Sequence, residues 1–574
     1  MNTVSYIQIY KRIGVLQLKK SIFIIVMVII IGGAAAYIWR DSLFGSDDTI
    51  SGKVTKNHKV DITTGIDASI LDNQESLEKT IEKDSAESTL ENPYVKLDPF
   101  GNAPLSAVVV FDTDSPSKVS FVVKGKDSSV DIKKTVDGYS THHELPILGL
   151  YANRNNTVVI TSTTRAGEKT SKIVKIKTAK LPDYTPTLTI KTLEKDKIET
   201  LDNGLTFAVP STKYAVGFDT NGDIRWYSSR YNSHVFKVLD NGHLLFLSKD
   251  DNSGTAYNRL LEMDYTGKIY HAYEISQNTA ATQNGDGGES TVVHHDAIEL
   301  PSGNLLLTVN DGASKYIEDT MIEINRKTGE IVKSINMKDI LPESFYKNYD
   351  QTKRDDGLID WFHQNAIVYD SSDNSIVISS RNQDTVMKLD YKTEKIKWIL
   401  SDKSGWPDSF QKYLVKGVGS NFKYTAGQHA PIILSESDTD NNPDTIDLLL
   451  FDNNTVVTRG NKDLSKQYSA GSQYRINEKT KTAELIWSYG EERGKELFSN
   501  IIGSDRYMEN TGNRLIDFGW LNSGKDSRIV EVDPSGHVVY EVAVSDFGEG
   551  EWVYRAERLS LYPKAWNFSV SDSK

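Results

Sequence analysis

Four of the eleven histidines stand at one equivalent place in a repeated pattern of the sequence. His234 precedes VFKVLDNG, His295 precedes DAIELPSG, His363 precedes QNAIVYD, and His429 precedes APIIL. From His234 and from His295 the distance to the following turn glycine is the same, eight residues. A single histidine at a strand end usually makes only a structural hydrogen bond. Four in register predict imidazoles that converge on one site, where they can bind a metal or do nucleophilic and acid–base chemistry.

The neighbouring polar residues help to choose between these kinds of chemistry. Histidine clusters suggest a metal first, but only Asp296 and Asp360 supply carboxylates in register. Arg381 follows on the second strand of the unit that begins at His363. A cation is unfavourable beside a metal and favourable beside an anionic substrate. With Asn365, these side chains favour a donor-rich pocket for a tetrahedral oxyanion, in which one unprotonated imidazole is the nucleophile; no metal or cofactor is expected.

Two kinds of turn alternate along the C-terminal two thirds of the chain. The first kind leads into an apolar strand and occurs six times, at Leu201–Gly204, Leu239–Gly242, Leu300–Gly303, Asp370–Asn374, Asn441–Asp444 and Asn510–Asn513. The second kind links two further strands and also occurs six times, at Asp219–Gly222, Asp264–Gly267, Asn325–Gly329, Asp390–Glu394, Asn477–Lys481 and Asp533–Gly536. Each unit therefore reads strand, turn, strand, loop, strand, turn, strand.

This repeat predicts a six-bladed β-propeller over residues 187–565, with Glu557–Leu561 closing the ring against an N-terminal strand; seven blades are the alternative. The first strand of each propeller blade lines the central channel. The four histidines would then lie on a ring at one mouth of that channel. Trp361, Phe362 and Tyr424 stand near strand starts, where they could line a slot for an aryl ring or simply pack the blades.

Composition excludes several classes of function. The chain has 574 residues and a formal net charge of −13, which argues against nucleic-acid binding. It has no cysteine, so disulfides, thiolate zinc sites, iron–sulfur clusters and cysteine nucleophiles are excluded. The aromatic content of 10% and the 39 glycines are typical of many short strands and turns, so an all-β fold is expected.

The N-terminal third divides into four segments. A basic stretch, residues 1–20, precedes the apolar run Ser21–Trp39, which is long enough to span a bilayer and is predicted to be a transmembrane anchor or a cleavable signal peptide. The excess of Lys and Arg before this run places residues 1–20 in the cytoplasm and the rest outside. Residues 40–92 are charge-rich and are expected to be a polar tether, in part helical. Residues 93–180 carry short strand patterns that predict a small β-sandwich.

Several blocks of sequence resemble the bacterial arylsulfate sulfotransferases. These are HHDAIELPSGNLLL (294–307), DWFHQNAIVYDSSDNSIVISSRNQDTVMKLD (360–390), GQHAPIIL (427–434) with LLLFDNN (448–454), and YRAERLSLY (554–562). PILGLYANRNNTVVI (146–160) is similar to the N-terminal sandwich of that family. The chain departs from the Gram-negative members because it has no cysteine pair and keeps its apolar N-terminal run.

The resemblance implies an enzyme that moves a sulfuryl group from a phenolic sulfate ester to a phenolic acceptor through a sulfohistidine, by a ping-pong mechanism. Matched motif by motif, the nucleophile is the histidine of GQH, His429. The other site residues are His363, Asn365 and Arg381, together with the histidine of the HD motif. We favour His295 for that position, because strand alternation would point the adjacent His294 away from the channel. His294 is the alternative and, like Asn365, a candidate substrate-binding residue. The family's site also has a threonine from a late blade, for which Thr511 is the nearest candidate.

Two other functions remain open from the sequence. One is a non-catalytic propeller that binds a partner or a wall polymer at the channel mouth, and the other is a metal-dependent hydrolase or lactonase. The expected partners are the phenolic sulfate donor, the phenolic acceptor and the membrane at the N-terminal anchor, with a homodimer as an option and no nucleic acid. The expected location is the cell membrane, single-pass with an extracytoplasmic catalytic domain, or secretion if the segment is cleaved.

Overall fold

The structure, a computed structural model, describes residues 52–249, 257–277, 292–349, 357–434, 440–546 and 550–571. The basic N-terminus 1–20, the apolar run Ser21–Trp39 and residues 40–51 lie outside these ranges. No helix in the described part of the chain has the length and apolarity needed to cross a bilayer.

Most of the regular secondary structure in the described chain is β-strand. Its first part contains β1 (Ile62–Ile66), α1 (Ala68–Ser85), β2 (Tyr94–Leu97), β3 (Ala107–Val123), β4 (Ile132–Thr135), β5 (Ser140–Ile147), β6 (Asn155–Thr164) and β7 (Lys169–Lys177). The middle part contains β8 (Thr187–Leu193), β9 (Gly204–Pro210), β10 (Val216–Phe218), β11 (Ile224–Tyr227), β12 (Phe236–Val238), β13 (Leu244–Ser248), β14 (Arg259–Met263), β15 (Ile269–Gln277), β16 (Val293–Glu299), β17 (Leu305–Val309), β18 (Thr320–Ile324), β19 (Ile331–Asn336) and α2 (Glu343–Lys347).

The last part contains β20 (Gln364–Asp370), β21 (Ser375–Ser380), β22 (Thr385–Asp390), β23 (Ile396–Leu400), β24 (Lys416–Gly417), β25 (His429–Ile433), β26 (Thr445–Asp452), β27 (Ala470–Asn477), β28 (Thr482–Tyr489), β29 (Ser504–Tyr507), β30 (Arg514–Leu521), β31 (Asp526–Val532), β32 (Val538–Ser545) and β33 (Val553–Ser560).

Strands β2 to β7 form the N-terminal domain that the strand patterns predict. The long strand β3 pairs with β2 and β5 through its first half and with β4 and β6 through its second half. In β6 the residues Asn156, Val158, Ile160 and Ser162 are buried and alternate with less buried ones. This alternation places one face of the strand on the domain core, where Val158 and Ile160 pack with Phe121.

The remaining strands form six sheets in the described residues, each built on four antiparallel strands; β24 adds to the fifth of them in parallel with β28. The first sheet is β33-β9-β10-β11, the second β12-β13-β14-β15, the third β16-β17-β18-β19, the fourth β20-β21-β22-β23, the fifth β25-β26-β27-β28 and the sixth β29-β30-β31-β32. We call β33, β12, β16, β20, β25 and β29 the first strands. First strands of neighbouring sheets contact one another from β16 through β20, β25 and β29 to β33. Lys237 of β12 pairs with Asp296 of β16.

Eleven of the twelve predicted turns join two strands that pair in these sheets, whereas Leu201–Gly204 leads into β9 from β8, which belongs to another sheet. Leu300–Gly303, for example, joins β16 to β17, and Asn325–Gly329 joins β18 to β19. The predicted closure is also present, because β33 pairs with β9 and Glu557 lies opposite Phe207. A second closure adds β8 to the outer edge of the sixth sheet, against β32. Chain segments distant in sequence therefore complete both the first and the last sheet.

Residues 52–92 contain a helix, as expected of the tether, but they also pair and pack with the second sheet. Strand β1 pairs antiparallel with β15 and becomes the outer edge of the second sheet. Helix α1 follows directly, with the Asp67 side chain accepting from the backbone N–H groups of Ser69 and Ile70 at its N-terminus. Asp67 also pairs with buried Arg259 of β14. The low apolar content misled the prediction because an edge strand and a capped helix need few large side chains.

Candidate active site

The structure brings the four histidines together, as their register predicts. The ring centroids of His234 and His295 are 5.1 Å apart, those of His295 and His363 are 4.4 Å apart, and those of His363 and His429 are 6.3 Å apart. The four rings come from the starts of the first strands of four consecutive sheets. We call this row of rings the histidine row.

Irregular backbone at the strand starts aims these side chains. The pairing of β16 with β17 shifts register between Val293 and Ala297, and that of β25 with β26 shifts between His429 and Ile432. His234 and His363 have φ of 50° and 52°, in the left-handed region that non-glycine residues rarely adopt. Bulges and such strained residues commonly re-aim side chains near functional sites.

His363 is the charged member of the row. Its Nδ1 lies 2.6 Å from Oδ2 of Asp360 and 2.7 Å from Oε2 of Glu318. Burial alone would lower the pKa of His363, but these two carboxylates outweigh burial and raise the pKa to about 10. His363 is therefore an imidazolium at neutral pH.

His429 is a neutral member of the row. Burial, followed by the positive charges of Arg381 and His363, holds the pKa of His429 well below its ordinary value. Its Nδ1 lies 2.7 Å from Oδ1 of Asn453, the residue just after β26. A buried imidazole without its second proton keeps a lone pair, which is what a nucleophile requires.

His295 and His294 are both buried, and His295 belongs to the row. The His295 ring contacts the rings of His234 and His363, whereas among the described rings His294 contacts only that of His295, with 3.0 Å between the two Nδ1 atoms. Burial, followed by the charge on His363, holds the pKa of His295 well below its ordinary value. Potential ligand atoms of both histidines nevertheless lie within 4.8 Å of each other and of Glu318, so strand alternation does not turn His294 away, and the choice of His295 stays a prediction.

Arg381 and Asn365 flank His429. Arg381 is buried, and its guanidinium donates to Oδ1 of Asn382 and to the carbonyl of Asn500. Its charge reaches His429, because it is a main cause of the low pKa of that residue. Asn365 donates from Nδ2 to the carbonyl of Gln428, 2.7 Å away, and so holds the backbone just before the nucleophile candidate.

Thr511 does not join the other site residues, which corrects the sequence prediction. It is an exposed residue in the turn between β29 and β30, and its hydroxyl donates to Glu199 at 2.9 Å. The histidine row lies at the starts of the first strands, whereas this turn follows the end of β29. Thr511 belongs to a predicted turn of the first kind, and this turn lies at the opposite end of the first strand from the histidine row.

The aromatic residues proposed for an aryl slot are packing residues. Trp361 and Phe362 are fully buried, and Trp361 donates from Nε1 to Asp319. Tyr424 donates its hydroxyl to the carbonyl of Val415 and packs on Phe422. Two tyrosine rings lie beside the row. The centroid of Tyr554, in β33, is 4.4 Å from that of His234 and 6.1 Å from that of His295, and the centroid of Tyr257 is 5.6 Å from that of His234.

Asp384 ties the loops of the site together. This buried carboxylate accepts hydrogen bonds from the backbone N–H groups of Gly427, Val457, Thr458 and Arg459. Gly427 begins the GQH motif, so one side chain near Arg381 fixes the loop that carries His429. The SSRNQD stretch therefore both supplies Arg381 and positions the nucleophile candidate.

A second buried network connects β33 to the site. Arg555 donates to the carbonyl of Asn365 at 2.9 Å and pairs with Asp296 at 3.2 Å. Asp296 also accepts from the backbone of Ile367 and pairs with Lys237. Asp296 is thus neutralised by two cations, Arg555 and Lys237, and holds neighbouring first strands together, although it lies beside His295 in sequence.

Sequence reasoning missed Asn453, Glu318, Tyr554 and Arg555 as site residues. Three of them lie inside blocks that carry the resemblance, Asn453 in LLLFDNN and the other two in YRAERLSLY, so those blocks held the signal. Glu318 had none, because it lies in a loop before β18 with a φ of 57°. Only the folded backbone brings its carboxylate to His363.

Two overlapping groups of side chains have the composition of a metal site. The first group is His294, His295 and Glu318, and the second is Glu318, Asp360 and His363. Within each group the potential ligand atoms lie within 4.8 Å of one another. In the second group, however, both carboxylates contact Nδ1 of His363 and account for its positive charge. A metal bound through that nitrogen would have to displace the proton that the two carboxylates hold there.

Comparisons with known proteins support the resemblance seen in the sequence. A family model described as Arylsulfotransferase (ASST) matches residues 191–555, and one described as Arylsulfotransferase Ig-like domain matches residues 94–179. Arylsulfate sulfotransferase AssT of Escherichia coli O6:H1 is 24% identical over a match of 529 residues, and the match covers 74% of this chain and 84% of that protein. The protein of the same name from Lelliottia amnigena is 24% identical over a match of 517 residues, which covers 72% of this chain and 83% of that protein.

Solved structures give no comparable support. A putative 6-phosphogluconolactonase from Bacteroides uniformis is 9% identical, with a TM-score of 0.34, over 78% of this chain and 100% of that chain. No conclusion about fold or activity follows from a likeness at that level. The two family models together span the N-terminal β domain and the six sheets, and the first alone covers more than half of the chain. The chain therefore belongs to the arylsulfotransferase (ASST) family.

Proposed function

We propose that the protein is an aryl-sulfate sulfotransferase that works by a ping-pong mechanism through a sulfohistidine at His429. The observation that carries this proposal is the division of charge along the histidine row. A neutral imidazole, His429, lies beside a cationic one, His363, and beside the guanidinium of Arg381. Nucleophile, proton donor and anion-binding group are thus present within one buried cluster.

In the first half-reaction the unprotonated nitrogen of His429 attacks the sulfur of the phenolic sulfate. An N–S bond forms while the S–O bond to the aryl group breaks, and the departing phenolate takes a proton from His363. Arg381 and the imidazolium of His363 offset the charge that builds on the sulfuryl oxygens in the transition state. In the second half-reaction the acceptor phenol returns a proton to His363, and its oxygen forms an O–S bond as the N–S bond breaks.

The acidity of His363 suits this exchange of protons. Its pKa of about 10 is close to the pKa of about 10 that a phenol has in water. Proton transfer between two groups of matched pKa costs little free energy in either direction. The same residue can therefore act as acid towards the donor and as base towards the acceptor.

Burial of the nucleophile favours transfer over hydrolysis. The His429 side chain is only 3% exposed, and the loop that carries it is held by Asp384 and Asn365. A sulfohistidine formed at such a position is shielded from bulk water. The intermediate would then persist until a phenol enters.

The proposal extends to architecture and location. We propose that the six sheets are the blades of a six-bladed propeller whose channel mouth carries the histidine row, supported by the contacts between successive first strands. Ser21–Trp39 is proposed to anchor the chain in the membrane, with the catalytic part outside the cytoplasm. The donor and the acceptor, both phenolic, would reach the site from that side.

One assay separates this function from its alternatives. Purified protein is expected to transfer the sulfuryl group from 4-nitrophenyl sulfate to phenol with EDTA present, and after incubation with donor alone its mass should rise by one SO₃ group, on the peptide with His429. His429→Asn should abolish both results, while His142→Asn, at an exposed histidine of the N-terminal domain, should leave them unchanged. Ester hydrolysis that EDTA removes would identify a metal-dependent hydrolase, and no turnover with no adduct would favour a binding protein.

A further inference from the structure

Asn453 makes the one described side-chain hydrogen bond to the ring of His429, and its own amide orientation is fixed. Its Nδ2 donates to the carbonyl oxygens of Ser499, at 2.7 Å, and Ile502, at 2.9 Å. A flipped amide would place its oxygen against two other oxygens, which is unfavourable. The amide oxygen of Asn453 must therefore be the atom that faces Nδ1 of His429, 2.7 Å away.

This orientation determines which ring nitrogen of His429 carries the proton. An amide oxygen can only accept, so Nδ1 must be an N–H donor. Burial and the charges of Arg381, His363 and Arg555 disfavour a second proton on this ring. The single proton of the neutral imidazole is then on Nδ1, and Nε2 holds the lone pair.

We infer that Asn453 is a positioning residue that sets the tautomer of His429 and so makes Nε2 the atom that forms the N–S bond; this inference rests on the proposed function. The hydrogen bond also holds the plane of the ring. A partner that fixes tautomer and orientation in this way acts on the reaction without touching the substrate.

An amide suits this role better than a carboxylate for the second half-reaction. After Nε2 has bonded to sulfur, the ring keeps its Nδ1 proton and is a positively charged N-sulfoimidazolium. Asn453 accepts the hydrogen bond but cannot remove this proton, so the ring stays charged and departs as neutral imidazole when the acceptor oxygen bonds to sulfur. A basic partner could take the proton and leave a sulfohistidine that transfers more slowly.

Two variants of Asn453 should change the kinetics in different ways. In Asn453→Asp, a carboxylate facing Nδ1 should raise the pKa of His429, so the acid limb of the pH profile of kcat/KM should move up by at least one pH unit. In Asn453→Leu, which is similar in size, the tautomer is no longer fixed, so kcat should fall at least tenfold at every pH with no upward move of that limb. A purely structural role would lower stability in both variants and leave the limb in place.

The matched control is Asn454→Asp, the same chemical change one residue further along. Asn454 has a φ of 47°, which Asp tolerates, and its side chain makes no hydrogen bond to His429. The control should keep the wild-type pH profile. Circular dichroism and thermal melting check folding, and if Asn453→Leu fails to fold, the shifted limb of Asn453→Asp still decides.

The outcomes separate this inference from the proposed function. The role of Asn453 would be overturned, and the proposed function kept, by the following result. The folded Asn453 variants show wild-type rates and an unmoved acid limb, while the wild type still forms a sulfate adduct on His429. Absence of both adduct and transfer in the wild type would overturn the proposed function and this inference with it. A raised limb in Asn453→Asp, unaccompanied by a change in Asn454→Asp, is the supporting result.

Discussion

The histidines of the row differ in protonation state, and therefore in the chemical role that each can have. His363 is held charged by Asp360 and Glu318, whereas His429 and His295 are held neutral by burial and by that same charge. The sequence shows four equivalent histidines and cannot separate them, because the partners that separate them approach from other loops. Asp360 lies three residues from His363, but Glu318 lies 45 residues away in sequence. The roles along the row are therefore a property of the fold.

Replacing Glu318 by Gln should weaken the acid function of His363. With one of two carboxylates gone, the pKa of His363 should fall from about 10, so fewer molecules can protonate the departing phenolate at pH 8 to 9. The loss in kcat should be at least tenfold with phenyl sulfate and clearly smaller with 4-nitrophenyl sulfate, whose phenolate departs without help. Glu330→Gln, at an exposed turn position of the same sheet, should change neither rate.

The same substitution has a consequence for stability. Because the pKa of His363 is raised above its ordinary value of 6.5 in the folded protein, its contribution is fully present below pH 6.5 and is lost as pH rises towards about 10. The free energy of unfolding should thus fall between pH 7 and pH 10 more steeply in the wild type than in Glu318→Gln. Denaturant titrations at pH 7 and pH 10 measure this fall. If the free energy of unfolding falls equally in the wild type and in Glu318→Gln, the charged state assigned to His363 is wrong.

Turns and β-bulges, rather than long strands or helices, determine the geometry of the site. The hairpin turns could be predicted from Gly, Asn and Asp spacing because those residues meet local backbone requirements. The bulges at Val293–Ala297 and His429–Ile432 could not, because they depend on pairing with the neighbouring strand. Likewise, Thr511 matched a turn pattern, but nothing in that pattern says which end of a strand faces the site. Local residue preferences therefore predicted the hairpins, whereas tertiary contacts determine the bulges and which residues reach the site.

Asp384→Ala tests the loop that these contacts hold. It would leave the backbone N–H groups of Gly427, Val457, Thr458 and Arg459 without their acceptor, and a buried unsatisfied donor costs about 1–3 kcal/mol. We expect a loss of about 3 kcal/mol in stability and at least a hundredfold in kcat, since the GQH loop loses its anchor. Chemical denaturation and steady-state kinetics measure these changes.

Asp390→Ala is the matched control in the same sheet. Asp390 accepts from Thr393 within the turn between β22 and β23. Its loss should lower stability less than the loss of Asp384 does and leave kcat within twofold. If both variants lower kcat equally, the effect of Asp384 is general destabilisation and not loop positioning.

At the scale of the whole molecule, residues 52–92 belong to the folded part of the described chain, although their composition predicts a tether. Strand β1 and helix α1 belong to this folded part, because β1 completes the second sheet and Asp67 pairs with Arg259. The apolar run Ser21–Trp39 could be recognised from hydropathy alone, but the charge-rich residues after it hid the elements that pack on β15. Overall polarity is a poor guide to order where a segment only covers an edge.

Two N-terminal deletions test this assignment. Removal of residues 1–51 should move the protein from the membrane pellet to the supernatant while kcat and the melting temperature stay unchanged. Removal of residues 1–92 should also release it but lower the melting temperature by several degrees, because β15 becomes an exposed edge and Arg259 loses the carboxylate of Asp67. Equal melting temperatures for the two products would show that residues 52–92 are a dispensable tether.

The pairing of β33 with β9 has a consequence for biosynthesis. Tyr554 and Arg555 reach the histidine row only through β33, which follows all the other described strands in sequence. A ribosome must therefore synthesise β33 before the first sheet can close and before Arg555 can bind Asn365 and Asp296. Nascent chains that stop just short of β33 would carry all four histidines of the row and still lack a competent centre, so activity would begin only after β33 has been made.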